Sequence, residues 1–226
     1  MAVVTVSREY GTSGGAIAQR AAELLGYRFV DRETIGRILA GYGMVDFREE
    51  YEEVGGFLSM LDSRRKMIFS MLDRVTRSIA RHGNAVILGR GSFVTLSGYV
   101  DVLNVRIQAP LQSRISKVVG MNGALDAEAA AAEVKRNDRR RAAFVTSVYN
   151  VRWDQTELFD LVLNSSKVPL ESAAKWIAAI ADGLALRTPS GDIGTEGLRR
   201  CADLPADPVL DEAVAAELLR KAAHSD

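Results

Sequence analysis

A glycine-rich segment near the N-terminus is the part of the sequence whose residue types point most directly to chemistry. Gly11, Gly14 and Gly15 follow an apolar run and precede a helical pattern. A helix that begins after such a loop presents backbone N–H groups without partners, and these groups bind phosphate. An ordinary strand-to-helix turn is the alternative. The predicted phosphate site consists of Arg8, Gly11, Thr12, Ser13, Gly14 and Gly15, with Mg²⁺ near Ser13 or Thr12.

Two residues of the full phosphate-loop pattern are missing from this segment. That pattern ends in Gly-Lys-Ser/Thr, whose lysine reaches the transferred phosphates and whose hydroxyl holds Mg²⁺. Gly15 and Ala16 stand at the corresponding positions. Loss of that cation costs orders of magnitude in rate unless another cation replaces it. The candidates for replacement are Arg8, Arg20 and the arginines of residues 136–141.

A run of arginines in the second half of the chain is the other candidate for phosphate chemistry. It contains Arg136, Arg139, Arg140 and Arg141, with Asp138 among them. Residues three or four apart are neighbours on a helix, so at least two of these guanidinium groups point the same way. Arginines on a helix that closes over a site neutralise charge on a transferred phosphoryl group. We predict catalytic roles for Arg136, Asp138, Arg140 and Arg141; a solvated helix face, with Asp138 paired locally, is the alternative.

Three further charged side chains are candidates for binding a second substrate. Arg90 follows a buried strand and lies between two glycines, where its guanidinium could hold a monophosphate through two hydrogen bonds. Asp31 either orients the acceptor or a water on Mg²⁺, or caps the helix that follows. Arg114 lies early in another helix and either joins the site or forms a surface salt bridge.

An alternation of apolar strands and amphipathic helices would position these residues. The predicted strands cover residues 2–6, 27–30, 84–88 and 100–108, and residues 158–164 contain the last strand. The predicted helices cover residues 15–25, 63–82, 111–119, 126–144 and 169–183. This order predicts an α/β fold with a mainly parallel sheet. In such sheets ligands bind beyond the carboxyl ends of the strands, where Gly11, Asp31 and Gly89 lie.

The chain divides into one large domain and a short C-terminal region. Residues 1–186 form the predicted domain, with a less regular insertion at 33–63. After Leu186 the sequence becomes rich in turn residues, and we predict an appendage at 187–226. Its amphipathic helix, at about residues 207–223, docks either on the core or on a second copy in a homodimer.

The composition restricts the functional class. The chain has 226 residues, 47% of them hydrophobic, and its 29 Lys and Arg balance 29 Asp and Glu, so we expect no nucleic-acid partner. A single cysteine excludes an internal disulfide and a cysteine-based zinc site, which favours a cytoplasmic protein. No apolar run reaches about 18 residues, so we expect no membrane partner and, with a strand at the N-terminus, no signal peptide.

Taken in order, the motifs resemble those of the cytidylate kinase-like family of bacterial P-loop proteins. The resemblance covers about residues 3–182 and is carried by residues 6–11 with Gly14, Ile17 and Ala18; Leu24, Gly26, Tyr27 and Asp31; residues 87–91; residues 105–107 with Ala109, Pro110 and Arg114; Asp138, Arg140 and Arg141; and Trp153, Asp154 and residues 159–166. It implies a P-loop NTPase-type three-layer fold with a five-stranded, mainly parallel sheet, a helical monophosphate-binding insertion and a helical lid at about 120–150.

The resemblance also implies a reaction. It suggests transfer of the ATP γ-phosphoryl group, with Mg²⁺, to a nucleoside monophosphate, most simply CMP or dCMP. The family pattern usually places arginine at the position of Gly15, so the phosphate-loop cation is absent at its usual place. Two other interpretations therefore stay open: a catalytically weak nucleotide-binding protein with a sensor or regulatory role, and a kinase of another small phosphoryl acceptor.

Overall fold

A five-stranded parallel sheet forms the centre of the computed structural model, which describes residues 1–42, 62–121, 123, 125–186 and 199–222. Its strands are β1 (Val3–Arg8), β2 (Arg28–Val30), β3 (Ala85–Leu88), β4 (Val102–Gln108) and β5 (Leu161–Asn164). They lie side by side in the order β2-β3-β1-β4-β5, and every pair is parallel. The strand that leads into the glycine-rich loop is therefore the central one.

The register places the loops after three neighbouring strands at one edge of the sheet. Val6 of β1 lies beside Leu88 of β3, and Val30 of β2 lies beside Ile87. The residues that follow these strands are Glu9, Gly89 and Asp31, respectively. The predicted grouping of the candidate residues at the carboxyl edge of the sheet thus agrees with the observed topology.

Helices cover both faces of the sheet. They are α1 (Gly14–Leu25), α2 (Arg32–Gly41), α3 (Asp62–His82), α4 (Ser92–Thr95), α5 (Leu111–Met121), α6 (Ala127–Tyr149), α7 (Leu170–Ala185) and α8 (Pro208–Ala222), with 3-10 turns at Thr156–Leu158 and Cys201–Asp203. Among these described helices, none is both long enough and apolar enough to cross a membrane.

Strand β3, beside the central strand, is apolar on both sides because each side meets a helical layer. In β3, Val86 packs with α1 and α7, whereas Ala85 and Ile87 pack with α2, α3 and α8. Successive side chains of a strand point to opposite faces, so a strand buried on both faces is a continuous apolar run. The structure confirms the predicted three-layer α/β fold of the P-loop type.

Among the observed elements, helix α6 differs most from its predicted bounds. Helix α6 continues to Tyr149 rather than ending near 144, because Val145 packs with Phe93, Trp153 and Phe159. The last strand, Leu161–Asn164, lies within the predicted segment 158–164 and follows a 3-10 turn. Of the predicted insertion at 33–63, α2 and the start of α3 are helical, and residues 43–61 lie outside the described residues.

The described part of the C-terminal region packs on the core of the same chain. Leu210, Val214 and Leu218 of α8 are buried in one cluster with Ile38 of α2 and Leu72 of α3. Of the two predicted docking modes, the structure shows the one on the core. The boundary near 186 and the homodimer stay predictions, and residues 187–198 and 223–226 lie outside the described residues.

Replacement of a buried residue of α8 should therefore destabilise the whole domain. We expect Leu210→Ala to lower the free energy of unfolding by about 2–5 kcal/mol, because it leaves a cavity in the core. Leu219→Ala is the matched control, since this side chain is 70% exposed and its truncation should cost no more than about 0.5 kcal/mol. Urea unfolding followed by circular dichroism measures both. Equal, small effects would show that α8 is not part of the core.

Candidate active site

Side chains of the glycine-rich loop hold its backbone in place. The buried Thr12 hydroxyl donates to the Glu9 carbonyl at 2.8 Å and accepts from the Gly14 N–H at 3.3 Å. Ser13 has a left-handed backbone, with φ 58°, and its side chain makes no cap to α1. The first turn of α1 thus lacks a side-chain acceptor from its N-cap residue, which leaves its amide end suited to an anion.

Arg8 crosses this loop from the end of β1 toward the end of β3. A Cβ atom added to Gly14 would lie 2.5 Å from the Arg8 Cβ, and one added to Gly89 would overlap Arg8 Nη1. Glycine is therefore required at position 14 for space, because the Arg8 Cβ cannot move away without the backbone, and at position 89 because the backbone is left-handed, with φ 81°. The guanidinium group consequently lies between the loops that follow β1 and β3.

Two more guanidinium groups act on Arg8. Its pKa is lowered to about 9, first by burial and then by the positive charges of Arg141 and Arg90. Within the residues that the structure describes, no carboxylate is paired with it. A largely buried cation beside two like charges is unfavourable by itself, and a bound anion would remove that penalty. The cluster of Arg8, Arg90 and Arg141, here called the arginine cluster, is thus suited to an anionic ligand.

Helix α6 contributes Arg141 to this cluster. Arg141 Nη1 donates to the Arg8 carbonyl at 3.0 Å, and its guanidinium lies 5.6 Å from the centre of the Tyr10 ring. Burial lowers the pKa of Arg141 as well. Arg136 and Arg140 are exposed, although the charge of Arg136 acts on Tyr10. Of the three predicted catalytic arginines, the structure places Arg141 against the loop and the other two on the surface of α6.

Asp138 and Arg114 connect the loop to the neighbouring helices. The Asp138 carboxylate accepts from the Tyr10 N–H at 2.8 Å and from Arg114 Nη1 at 2.5 Å. Arg114 also donates to the carbonyls of Ala109 and Tyr10, at 3.0 and 3.1 Å, and its Nε lies 3.3 Å from the Glu9 carboxylate. Asp138 also lies 3.9 Å from Arg141 Nη1, one helical turn away, which is the local pairing considered for it. Contacts of Asp138 and Arg114 with a substrate stay predictions.

Glu9 and Arg106 support the loop from beneath and were not among the predicted site residues. The Glu9 carboxylate accepts from the Ala109 N–H at 3.0 Å and lies 3.7 Å from Arg106 Nη2. Arg106 is 3% exposed, donates to the Trp153 carbonyl at 2.8 Å and lies 4.7 Å from the centre of that ring. An arginine within the otherwise uncharged strand β4 is the signal that could have identified this support.

Asp31 and Arg90 are fixed by local structure at the same edge. Asp31 accepts from the backbone N–H and the hydroxyl of Thr34, at 2.9 and 2.8 Å, so its predicted capping role is confirmed. Arg90 is the middle residue of three with left-handed backbones, whose φ values are 81°, 62° and 70°. Its carbonyl accepts from the Tyr149 hydroxyl at 3.0 Å, which ties this turn to the end of α6. Contacts of either residue with a substrate stay predictions.

Arg20 is the least suitable of the cations considered as a replacement for the phosphate-loop lysine. Arg20 pairs with Glu23 and Glu171 at 3.0 and 2.9 Å on an exposed surface of α1 and α7, which occupies its guanidinium. Of the other candidate cations, Arg8 and Arg141 lie against the loop, whereas Arg136 and Arg140 are exposed on α6.

The residues around the loop also fit Mg²⁺ that arrives with a nucleotide. No group of three His, Cys, Asp or Glu side chains is placed to hold a metal in the described part of the chain. Mg²⁺ commonly keeps several waters and is bound through substrate phosphates and one or two protein ligands. Since the Ser13 hydroxyl makes no cap to α1, it fits as one such ligand.

Known proteins include relatives that are similar to this chain in sequence and in structure. The model of the cytidylate kinase-like family matches residues 3–167. The chain is 29% identical over 180 residues to the cytidylate kinase of Ignicoccus hospitalis, which covers 78% of this chain and 97% of that protein. It is 26% identical over 187 residues to the cytidylate kinase of Methanocaldococcus jannaschii, which covers 80% and 98%. A crystal structure of an uncharacterized protein from Eubacterium ventriosum shares the fold, with a TM-score of 0.60, 17% identity and coverage of 80% and 98%.

Substitution of two adjacent glycines, Gly14 and Gly15, tests whether Arg8 contributes to phosphate binding. We expect Gly14→Ala to weaken binding of inorganic tripolyphosphate by at least about tenfold, because the new methyl group would displace Arg8. Gly15→Ala keeps the backbone N–H and meets only Leu88 Cδ2, at 3.8 Å, so binding should change by less than about twofold. Isothermal titration calorimetry at constant ionic strength measures both. Equal affinities of the two variants would show that Arg8 takes no part in binding.

Proposed function

The chain belongs to the cytidylate kinase-like family, and on that premise we propose that it transfers the γ-phosphoryl group of ATP to CMP or dCMP. The observation that carries the proposal is the arginine cluster beside the glycine-rich loop. The two relatives named above are cytidylate kinases, which supports a cytidine nucleotide as the acceptor.

On the donor side, the loop and Arg8 would hold the phosphates. The backbone N–H groups at the start of α1 would bind phosphate oxygens, and the Ser13 hydroxyl, which makes no cap to α1, would bind Mg²⁺. ATP supplies the phosphoryl group, and Mg²⁺ joins its phosphate oxygens. With a pKa of about 9, Arg8 is charged at neutral pH and can stabilise charge on the group in transfer. In this role Arg8 replaces the cation that the family pattern places at the position of Gly15.

On the acceptor side, Arg90 would bind the monophosphate. It follows β3, beside the loop after β1, so a group bound there would lie next to the donor phosphates. In-line transfer requires this proximity of the attacking oxygen and the phosphorus atom. Asp31, at the end of β2, lies farther along the same edge and would orient the rest of the acceptor while it caps α2.

The arginines of α6 would bind phosphate from two different positions. Arg141 is fixed at the loop through the Arg8 carbonyl and would contribute to the donor site as the structure stands. Arg136 and Arg140 are exposed and would reach the phosphates from the surface of α6 when nucleotide is bound. Asp138 acts in this scheme by holding the Tyr10 N–H and Arg114, which positions the loop rather than the reacting atoms.

A direct assay tests the proposed reaction. The purified protein is incubated with ATP, Mg²⁺ and each common nucleoside monophosphate in turn, and ADP formation is followed. We expect turnover with CMP and dCMP well above that with AMP, GMP and UMP. Nucleotide binding without turnover on any acceptor would favour the sensor or regulatory alternative. Turnover with a different acceptor would correct the substrate, and absence of ATP binding would contradict the phosphate site.

Arg8 is the residue whose replacement should cost most on the donor side. We expect Arg8→Gln to lower kcat/KM by about 10²–10³-fold, because one cation is lost from the transferred phosphates. The melting temperature should not fall, since the variant also removes a buried charge that two like charges repel. Steady-state kinetics and thermal unfolding measure the two effects separately.

The control and the rescue for this variant both lie on α1 or just before it. Arg20→Gln removes an arginine that is paired on the surface, and kcat/KM should stay within about twofold of the parent. Gly15→Arg, introduced into Arg8→Gln, should restore part of the lost activity, because a Cβ atom at position 15 meets only Leu88 Cδ2, at an ordinary contact distance of 3.8 Å. Equal kinetics for Arg8→Gln and Arg20→Gln would exclude the proposed role.

A further inference from the structure

Helix α8 lies between α2 and α3 on one face of the sheet. Its buried residues Leu210, Val214 and Leu218 fill a single cluster with side chains of both helices. The family match ends at residue 167, so α8 lies beyond the part of the chain that the family describes. Its contacts can therefore have a role specific to this chain.

The first half of α8 is anchored on α3. Asp207 accepts from Arg74, and Arg74 also donates to the Tyr42 hydroxyl at 3.2 Å, just after the end of α2. Asp211 accepts from the Ser78 hydroxyl at 2.5 Å and from Arg81 at 2.9 Å. These contacts fix where α8 starts, and they connect it to the far end of α2.

The second half of α8 reaches the start of α2 through a chain of hydrogen bonds. Glu217 Oε1 accepts from Arg37 Nε at 2.5 Å, and this carboxylate side chain is only 10% exposed. Arg37 Nη2 donates to the Thr34 hydroxyl at 3.3 Å, and that hydroxyl donates to Asp31 Oδ1 at 2.8 Å. Glu217 is thus connected to the Asp31 cap, which lies at the carboxyl edge of β2.

We propose that α8 positions α2 for the acceptor, with Glu217 as the positioning residue. A mostly buried carboxylate holds its arginine more firmly than an exposed one, because solvent screens the pair less. The Glu217–Arg37 pair therefore fixes the first turns of α2, and through Thr34 it fixes the Asp31 carboxylate. The effect on acceptor affinity rests on the proposed function, whereas the effect on α2 does not.

The test uses the full chain with one carboxylate changed to an amide. Glu217→Gln should accelerate hydrogen exchange at the amides of Ile35 and Ile38 in α2, and it should weaken CMP binding by about three- to tenfold. ATP binding and kcat should stay within about twofold, because α8 packs in the cluster of α2 and α3, whereas α1 packs in the cluster on the other face of the sheet. Exchange mass spectrometry, calorimetry and steady-state kinetics give these readouts.

A matched control and a second variant make the result specific. Glu171→Gln breaks another arginine–glutamate pair between helices, Arg20–Glu171 at 2.9 Å, and should leave α2 exchange and CMP binding unchanged. Arg37→Gln breaks the proposed pair from the α2 side and should reproduce the effects of Glu217→Gln. The double variant should add little to either single variant.

Two outcomes overturn the proposal. One is α2 exchange in Glu217→Gln that matches Glu171→Gln. The other is a loss of ATP binding as large as the loss of CMP binding, which would indicate general destabilisation. A parent protein that binds no CMP would count against the proposed function and against control of acceptor affinity, and the exchange data would still decide whether α8 fixes α2.

Discussion

The site depends on the electrostatic repulsion that Arg90 and Arg141 exert on Arg8. Arg8 is held largely out of solvent beside Arg90 and Arg141, and no carboxylate in the described part of the chain is paired with it. Burial of such a charge costs free energy, so the surrounding structure must compensate for it. The compensation comes from the sheet on which Arg8 sits and from the two glycines that leave it room. A polyphosphate bound at the loop would meet positive charge already in place, without the cost of moving it there.

The carboxylates near the loop, Glu9 and Asp138, pair with Arg106 and Arg114 behind it rather than with Arg8. Glu9 is bonded to the Ala109 N–H and lies near Arg106 and Arg114, and Asp138 is bonded to Tyr10 and Arg114. Carboxylates on the ligand side of the loop would instead neutralise Arg8 and repel an anionic ligand. Arg106 and Arg114 therefore have carboxylate partners behind the loop, whereas no carboxylate among the described residues is paired with Arg8.

The sequence allowed the sheet, the loop and the arginine-bearing helix to be predicted because each depends on local pattern. Apolar runs ended by glycines predict buried strands, and Gly11 to Gly15 stand where one such run meets a helix. Which arginines pair with a carboxylate could not be predicted. Arg114 and Asp138, for example, are separated by 24 positions and meet only in the folded chain. The length of α6 was underestimated for a similar reason: Val145 packs on aromatic residues from distant segments. The same limit applies to α8, whose buried face has its partners in α2 and α3.

The place of α8 in the core has a consequence for the order in which the molecule assembles. One face of the sheet is completed by Leu210, Val214 and Leu218, which pack with residues of β1, β2 and β3 that are synthesised much earlier. Contacts between segments so far apart along the chain form late, because a long loop must close first. During synthesis the apolar surface of α2 and α3 therefore stays uncovered until residue 218 has left the ribosome, and it would be open to chaperones and to aggregation in that interval.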